Sequence, residues 1–385
     1  MIKREIETIC LRLFSQFPIL TITGPRQSGK TTLARKVFPE KPYINLEFPD
    51  QRQFAIEDPR GFLSRYPDGA ILDEIQRTPE LPSYLQGTVD EKKRNGMFVL
   101  TGSRQFDVVR SISQSLAGRT AMVQLLPLTA GELGSYAPLP DLSTLLVNGF
   151  FPGLHVNGVS PGHFYAAYFE TYIERDLRQL SQIDNLKTFE KFVRLLAARA
   201  SGLLNHHGIA NDCGVSQPTV RKWVSLCEAG YIVFVLPPFH RNIGKRLIKA
   251  PKIYFFDTGL LCFLLGVETP AHLAAHPLRG AVFENFIVAE LLKRRFNDAR
   301  LANMTFYRDR AGNEVDVVVD NGNTLLPVEI KSSQTASPEF VKSLRYFGAL
   351  FPDQVKKSLV VYDGNEEEVL GNCGFVNWRN LHEKL

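Results

Sequence analysis

"TITGPRQSGKTTLARKVF", Thr21–Phe38, is the stretch on which the fold turns. Gly24, four residues, then Gly29, Lys30 and Thr31 has the spacing of a phosphate-binding loop. The flanks agree: Phe17–Thr23 reads as a short buried strand, and Thr32–Phe38 begins a helix with Leu33, Ala34 and Val37 on one face. Backbone N–H groups of such a turn surround the β-phosphate, with the positive end of the helix dipole behind them. The nucleotide-binding residues expected here are Gly24, Pro25, Arg26, Gln27, Ser28, Gly29, Lys30, Thr31 and Thr32. Lys30 would reach the β- and γ-phosphates and the Thr31 hydroxyl would ligate Mg²⁺, so ATP and Mg²⁺ are the implied cofactors.

Hydrolysis also needs an acidic partner for the metal and a base for water. "DGAILDEIQ", residues 68–76, supplies both: three apolar residues lead into Asp73, suited to Mg²⁺, and Glu74, suited to polarising water. A third strand in "MFVLTGSRQF", residues 97–106, ends in Thr101, Ser103 and Arg104, which would bring the Ser103 hydroxyl near the γ-phosphate as a sensor of nucleotide state. Arg119 follows a helical stretch in "SISQSLAGR" and precedes the strand "TAMVQLLPL". There it either reaches a neighbouring subunit's ATP or serves as a charge at a helix C-terminus.

The phrases "GPRQSGKTTL", "ILDEIQ", "LTGS", "SLAGR" and "PLTAGEL" make residues 18 to 135 resemble an AAA-type ATPase domain of one bacterial and archaeal family. The resemblance continues through "YIERDLRQL", "FFDTGLL", "VFENFIVAEL" and "EVDVVV". It implies ATP binding and hydrolysis, and a C-terminal domain of unknown function with a restriction-endonuclease-like core.

Composition fits a multi-domain chain: 385 residues exceed what one core usually serves. A net charge of +5 permits nucleic-acid contact without demanding it. Five scattered cysteines, none in a Cys-x-x-Cys pair, argue for reduced thiols in a cytoplasmic protein and against a zinc site or disulfide framework. The N-terminus mixes charged and apolar residues, unlike a signal peptide, and no apolar run is long enough to span a membrane.

The expected plan is α/β: an ATPase domain over 1–135, a linker and helical region over 136–185, a winged helix-turn-helix over 186–256 and a restriction-endonuclease-like α/β domain over 257–385. "GSYAPLPDLSTLLVNGFFPGLHVNGVSPGH", residues 134–163, is rich in Pro, Gly and Ser and reads as the separator. Next, residues 164–180 read as an amphipathic helix whose Arg175 and Arg178 either reach back to a phosphate or form a solvated face; the solvated face is the favoured reading.

"FEKFVRLLAARASGLL", "HHGIANDCGV" and "SQPTVRKWVSLCEAG" read as three helices, the last capped by Ser216 and stopped by Gly230. His206 and His207 lack spaced partners for a metal. Two strands, "YIVFVLPP" and "KIYFF", follow around the basic connection "FHRNIGKRLIKA". In such a module the last helix enters the major groove and the wing crosses phosphates. The DNA-contacting candidates are Arg221 and Lys222 on the helix, and Arg241, Lys245, Arg246 and Lys249 on the wing. The same fold also serves as a protein adaptor.

A second constellation lies downstream: Glu284 on the helix "GAVFENFIVAELLKRR", Asp316 on one strand, and Glu329 and Lys331 on the next. Alternation puts Glu329 and Lys331 on one strand face. Asp followed by Glu-x-Lys is the pattern of restriction-type nucleases, where Glu284, Asp316 and Glu329 would hold Mg²⁺ and Lys331 would assist the attacking water. It is equally the pattern of a surface ion pair. With only Lys331 to offset three acids, a bound divalent ion is expected to stabilise this region. The whole reads as an Mg²⁺-dependent ATPase that remodels or processes DNA, as a homo-oligomer that could close into a ring. The competing reading is a nucleotide-controlled switch or scaffold that binds a protein and cuts nothing.

Overall fold

In the first sheet, the apolar runs alternate their allegiance residue by residue, as a strand buried on both faces must. Leu20, Ile22, Ile71 and Val99 pack with Leu33 and Ala34 on one side. Ile19, Leu72, Phe98 and Leu100 pack with Phe62, Leu85 and Val89 on the other. The computed structural model describes residues 2–103, 115–174, 185–239 and 249–384. The five strands are β1 (Ile19–Thr23), β2 (Tyr43–Asn45), β3 (Ile71–Asp73), β4 (Phe98–Gly102) and β5 (Thr120–Gln124). Their order is β2-β3-β4-β1-β5, and every pairing is parallel. The chain leaves β1 for the far edge and later crosses back over it to β5, so β1 marks a topological switch point. Ligands settle in the crevice beyond the C-terminal strand ends at such a point.

Residues 134–163 do not behave as a linker. They form the helices Leu142–Asn148, Pro152–Asn157 and the start of Pro161–Tyr168, and Leu145, Phe150 and Phe151 are buried in the largest core. The Pro and Gly that suggested a linker are helix punctuation: Pro152 and Pro161 open helices, and Gly158 closes one in the left-handed region. Gly149 is required sterically, since a Cβ there would lie 2.0 Å from the Tyr165 hydroxyl.

Three helices follow, Leu186–Ala197, His206–Cys213 and Gln217–Ala229. The Ser216 hydroxyl caps the third by accepting from the Thr219 N–H. Val220, Trp223, Val224 and Cys227 are buried on it, with Trp223 against Phe189 and Phe192. An antiparallel hairpin, β6 (Val233–Leu236) and β7 (Lys252–Phe255), completes the segment. Beyond β6 the chain runs alongside a further sheet: Phe239 N–H donates to Phe306 O at 2.7 Å and Phe306 N–H to Pro237 O at 3.0 Å.

That sheet has six strands, β8 (Met304–Arg308), β9 (Glu314–Asp320), β10 (Leu325–Lys331), β11 (Ser358–Tyr362), β12 (Val369–Leu370) and β13 (Cys373–Asn377), in the order β12-β13-β11-β10-β9-β8. Its centre, β10, β11 and β13, is parallel, while β8, β9 and β10 pair antiparallel. The helix Arg279–Asn297 is buried along most of its length, polar residues Asn285, Glu290, Lys293 and Asn297 included, because it is wedged between segments. Its Phe286 stacks on Phe150 at 5.4 Å, and its Asn285 side chain bonds both the N–H and C=O of Phe255. No helix among the described residues is long and apolar enough to cross a membrane. The five cysteines are buried and free.

Candidate nucleotide site and acidic cluster

Because the first sheet is parallel, the C-terminal ends of β1, β3 and β4 share one rim, and the loop residues 24–29, Asp73, Glu74 and Ser103 all lie there. Gly24 has φ +150°, and a Cβ on it would lie 2.1 Å from Leu125 O, so the turn tolerates no side chain. Lys30 is 6% exposed, its ammonium donating to Gly24 O at 3.0 Å and Pro25 O at 2.7 Å. Burial pushes its pKa down to about 8, against the pull of Glu74 and Asp73.

The Asp73 carboxylate is a hub of hydroxyls. Thr31 donates to Oδ2 at 2.9 Å, Tyr43 to the same oxygen at 2.6 Å, and Thr101 to Oδ1. Burial and this contact with Asp73 raise the Tyr43 phenol's pKa, which keeps it a donor. Glu74 sits at φ +59°, an uncommon backbone for a residue with a side chain, and its carboxylate accepts from Ser103 Oγ at 3.1 Å and from the Gln76 amide. A cleft of about 980 Å³ opens beside the loop, walled on its apolar side by Pro152, Val156, Phe164 and Tyr168 and on its polar side by Lys30, Thr31, Glu47 and Glu74. Size and lining suit a nucleotide, with apolar walls for a base and Arg26, Lys30 and Lys36 for phosphates. Thr31 and Asp73, already in contact, are the residues that would hold its Mg²⁺.

Four residues that sequence reasoning missed complete this rim: Tyr43, Gln76, Arg4 and Tyr231. The Arg4 guanidinium, buried, donates to Glu132 Oε1 at 2.9 Å, Ser28 O at 2.9 Å and Leu126 O at 2.7 Å. Glu132 also closes a capping box with Thr129, a Thr-x-x-Glu signal that was present in "LTAGEL". Tyr231 donates to Thr23 Oγ1 at 2.9 Å from beyond the third helix of the middle segment. Arg119, by contrast, is at the opposite rim: its carbonyl accepts from Ile19 N–H at the start of β1, and its guanidinium grips Asp90 at 2.6 and 2.7 Å. Within its own chain it is remote from the loop. Arg104, Arg175, Arg178, Arg241, Lys245 and Arg246 lie outside the described residues. Arg221, Lys222 and Lys249 are exposed.

Glu284, Asp316, Glu329 and Lys331 come together as their order suggested, but the charge balance differs from the sequence reading. Lys331 donates to Glu329 Oε1 at 2.6 Å, and Ile330 N–H to Asp316 Oδ2 at 2.8 Å. The cation at the centre is Lys252, first residue of β7, whose ammonium is 3.0 Å from Glu284, 2.7 Å from Glu314 and 3.8 Å from Asp316. Tyr254 donates to Glu284 at 2.7 Å. Burial, and then Asp316 nearby, push Glu284 up to about 7 and Glu329 up to about 8. Among the described residues, no group of three His, Cys, Asp or Glu side chains is arranged to hold a metal ion. The metal-ligand arrangement expected here is not found; Lys252, which sequence reasoning had read only as the first residue of a strand, takes the place of an ion between Glu284, Glu314 and Asp316.

An AAA domain profile matches residues 16–134, and two domains of unknown function, DUF8612 and DUF4143, match 139–271 and 279–381. The uncharacterized proteins Mb2031c of Mycobacterium bovis and Rv2008c of Mycobacterium tuberculosis are each 31% identical over 367 residues, covering 94% of this chain and 80% of theirs. Among solved structures, the Walker-type ATPase PABY2304 of Pyrococcus abyssi is 17% identical, with a TM-score of 0.44 over 69% of this chain and 96% of that one. AMPPCP-bound DnaA from Aquifex aeolicus is 16% identical, with a TM-score of 0.30 over 58% of this chain and 85% of that one.

Proposed function

We propose, for a chain that belongs to the family of the two mycobacterial proteins and carries an AAA-type P-loop ATPase domain, that it is an Mg²⁺-dependent ATP hydrolase coupling turnover to DNA held by its middle segment. The observation that carries the reading is the convergence of Lys30, the Thr31–Asp73 pair and Glu74 on one rim beside a cleft of nucleotide size. Lys30 exchanges its two loop carbonyls for phosphate oxygens. Thr31 and Asp73 hold the metal, which when bound neutralises charge on the transferred phosphoryl group. Glu74 polarises the attacking water, and Ser103, bonded to it, reports the state of the γ-phosphate.

Homo-oligomer formation is part of the proposal, with Arg119 acting on a neighbour's ATP after leaving Asp90. Turnover per subunit is then expected to rise with protein concentration, and Arg119→Ala subunits to poison wild-type ones on mixing. Concentration-independent turnover by a monomer would return Arg119 to an ordinary ion pair.

DNA contact is assigned to the exposed face of Gln217–Ala229, through Arg221 and Lys222, and to Arg241, Lys245, Arg246 and Lys249 of the connection. Replacing Lys245, Arg246 and Lys249 by Ala is expected to weaken duplex binding alike for all sequences, because contacts from the connection go mainly to phosphate, and to flatten the salt dependence by about 0.9 in log–log slope for each phosphate no longer neutralised. Unchanged anisotropy titrations would favour the second reading, a nucleotide-controlled switch that binds a protein. That reading draws support from the hairpin, whose continuation is bonded to β8 instead of standing free. The C-terminal sheet with its Glu-x-Lys strand supports a nuclease-like fold; cleavage is not proposed, since Lys252 fills the acidic cluster.

A further inference from the structure

We infer that Lys252 is a built-in cation that fills the carboxylate cluster, keeps divalent ions out, and thereby latches the β6–β7 hairpin to the C-terminal sheet. Three elements meet at its ammonium: β7 bearing Lys252, the long helix bearing Glu284, and β9 bearing Glu314 and Asp316. The Lys252 side chain is 5% exposed, and the Phe306 ring lies 5.7 Å from the ammonium, so the cation is enclosed as well as paired. Mg²⁺ would approach these same carboxylate oxygens to about 2.0–2.1 Å. It would then sit against the ammonium, and two cations cannot share that space. Lys331 cannot substitute, because it is committed to Glu329.

The latch also explains why the hairpin strand begins with a charged residue in a buried position. Both strands of the hairpin are tied to the same sheet, β6 through Pro237–Phe239 on β8 and β7 through Lys252 on β9.

The test is thermal unfolding of the full-length, nucleotide-free chain during a Mn²⁺ titration, in wild type, Asp316→Asn, Lys252→Met and Lys252→Met/Glu284→Gln. Wild type is expected to show no more Mn²⁺ stabilisation than Asp316→Asn, which alters this cluster and leaves the ATPase carboxylates intact. Lys252→Met should lose several degrees and recover them with Mn²⁺. The double variant, with one acid fewer, should regain stability without metal and ignore Mn²⁺. A wild-type Mn²⁺ shift that Asp316→Asn removes would overturn the inference, as would a Lys252→Met protein that matches wild type without metal. If Lys252→Met fails to accumulate folded, the wild-type and Asp316→Asn comparison still decides it.

Discussion

Lys30→Ala is expected to abolish ATP binding, whereas Glu74→Gln should retain ATP and turn it over at least about a hundredfold more slowly, the loss typical of a general base. The two substitutions separate because the side chains meet different parts of the substrate. Lys30 is a buried cation held by two carbonyls of the loop, in place for the phosphates. Removing it takes away the buried countercharge where the β- and γ-phosphates must lie. Glu74 is reached by Ser103 and Gln76 and is held at a backbone angle that costs energy. The amide of Gln preserves those bonds but cannot take a proton from water. Filter binding and single-turnover phosphate release check the pair. Near-normal turnover by Glu74→Gln would remove Glu74 from the mechanism.

Arg4→Ala is expected to destabilise the fold by about 3–5 kcal/mol, the range seen when one partner of a buried ion pair is deleted. Glu132 would be left buried, retaining its bonds from Glu5 N–H and Thr129 N–H but deprived of its cation. Ser28 O and Leu126 O would be deprived of their donors as well. Arg4→Lys should rescue only in part, since an ammonium lacks the fork that spans three acceptors. Arg4→Met with Glu132→Met should recover only part of the stability: neither charge then remains to be desolvated, but Glu5 N–H, Thr129 N–H, Ser28 O and Leu126 O lose these side-chain partners. Ser28 belongs to the loop, so ATP affinity should fall along with stability in Arg4→Ala. An unchanged melting temperature would mean that the ion pair carries none of this energy.

What could be read from the sequence was the local chemistry. The glycine spacing placed Lys30 and Thr31 at a strand-to-helix turn, and the apolar run before Asp73 and Glu74 placed them at a strand end on the same rim. Period-two alternation put Glu329 and Lys331 on one face, where they lie 2.6 Å apart. What could not be read depended on contacts between distant parts of the chain. Arg4 meets Leu126 across 122 residues, and Tyr231 meets Thr23 across 208. Nothing in the pattern around Lys252 announces that β7 will deliver it to the acids of β9. The Pro- and Gly-rich stretch misled for another reason: composition registers how often a chain turns, and tightly packed short helices turn as often as a linker does.

The direct test of the central claim is phosphate release by the full-length chain given ATP, with Mg²⁺ or with chelator, in the absence and presence of duplex DNA. The expected result is Mg²⁺-dependent release that duplex DNA accelerates at low salt and not at high salt. No release with Mg²⁺ and ATP under any of these conditions would contradict it.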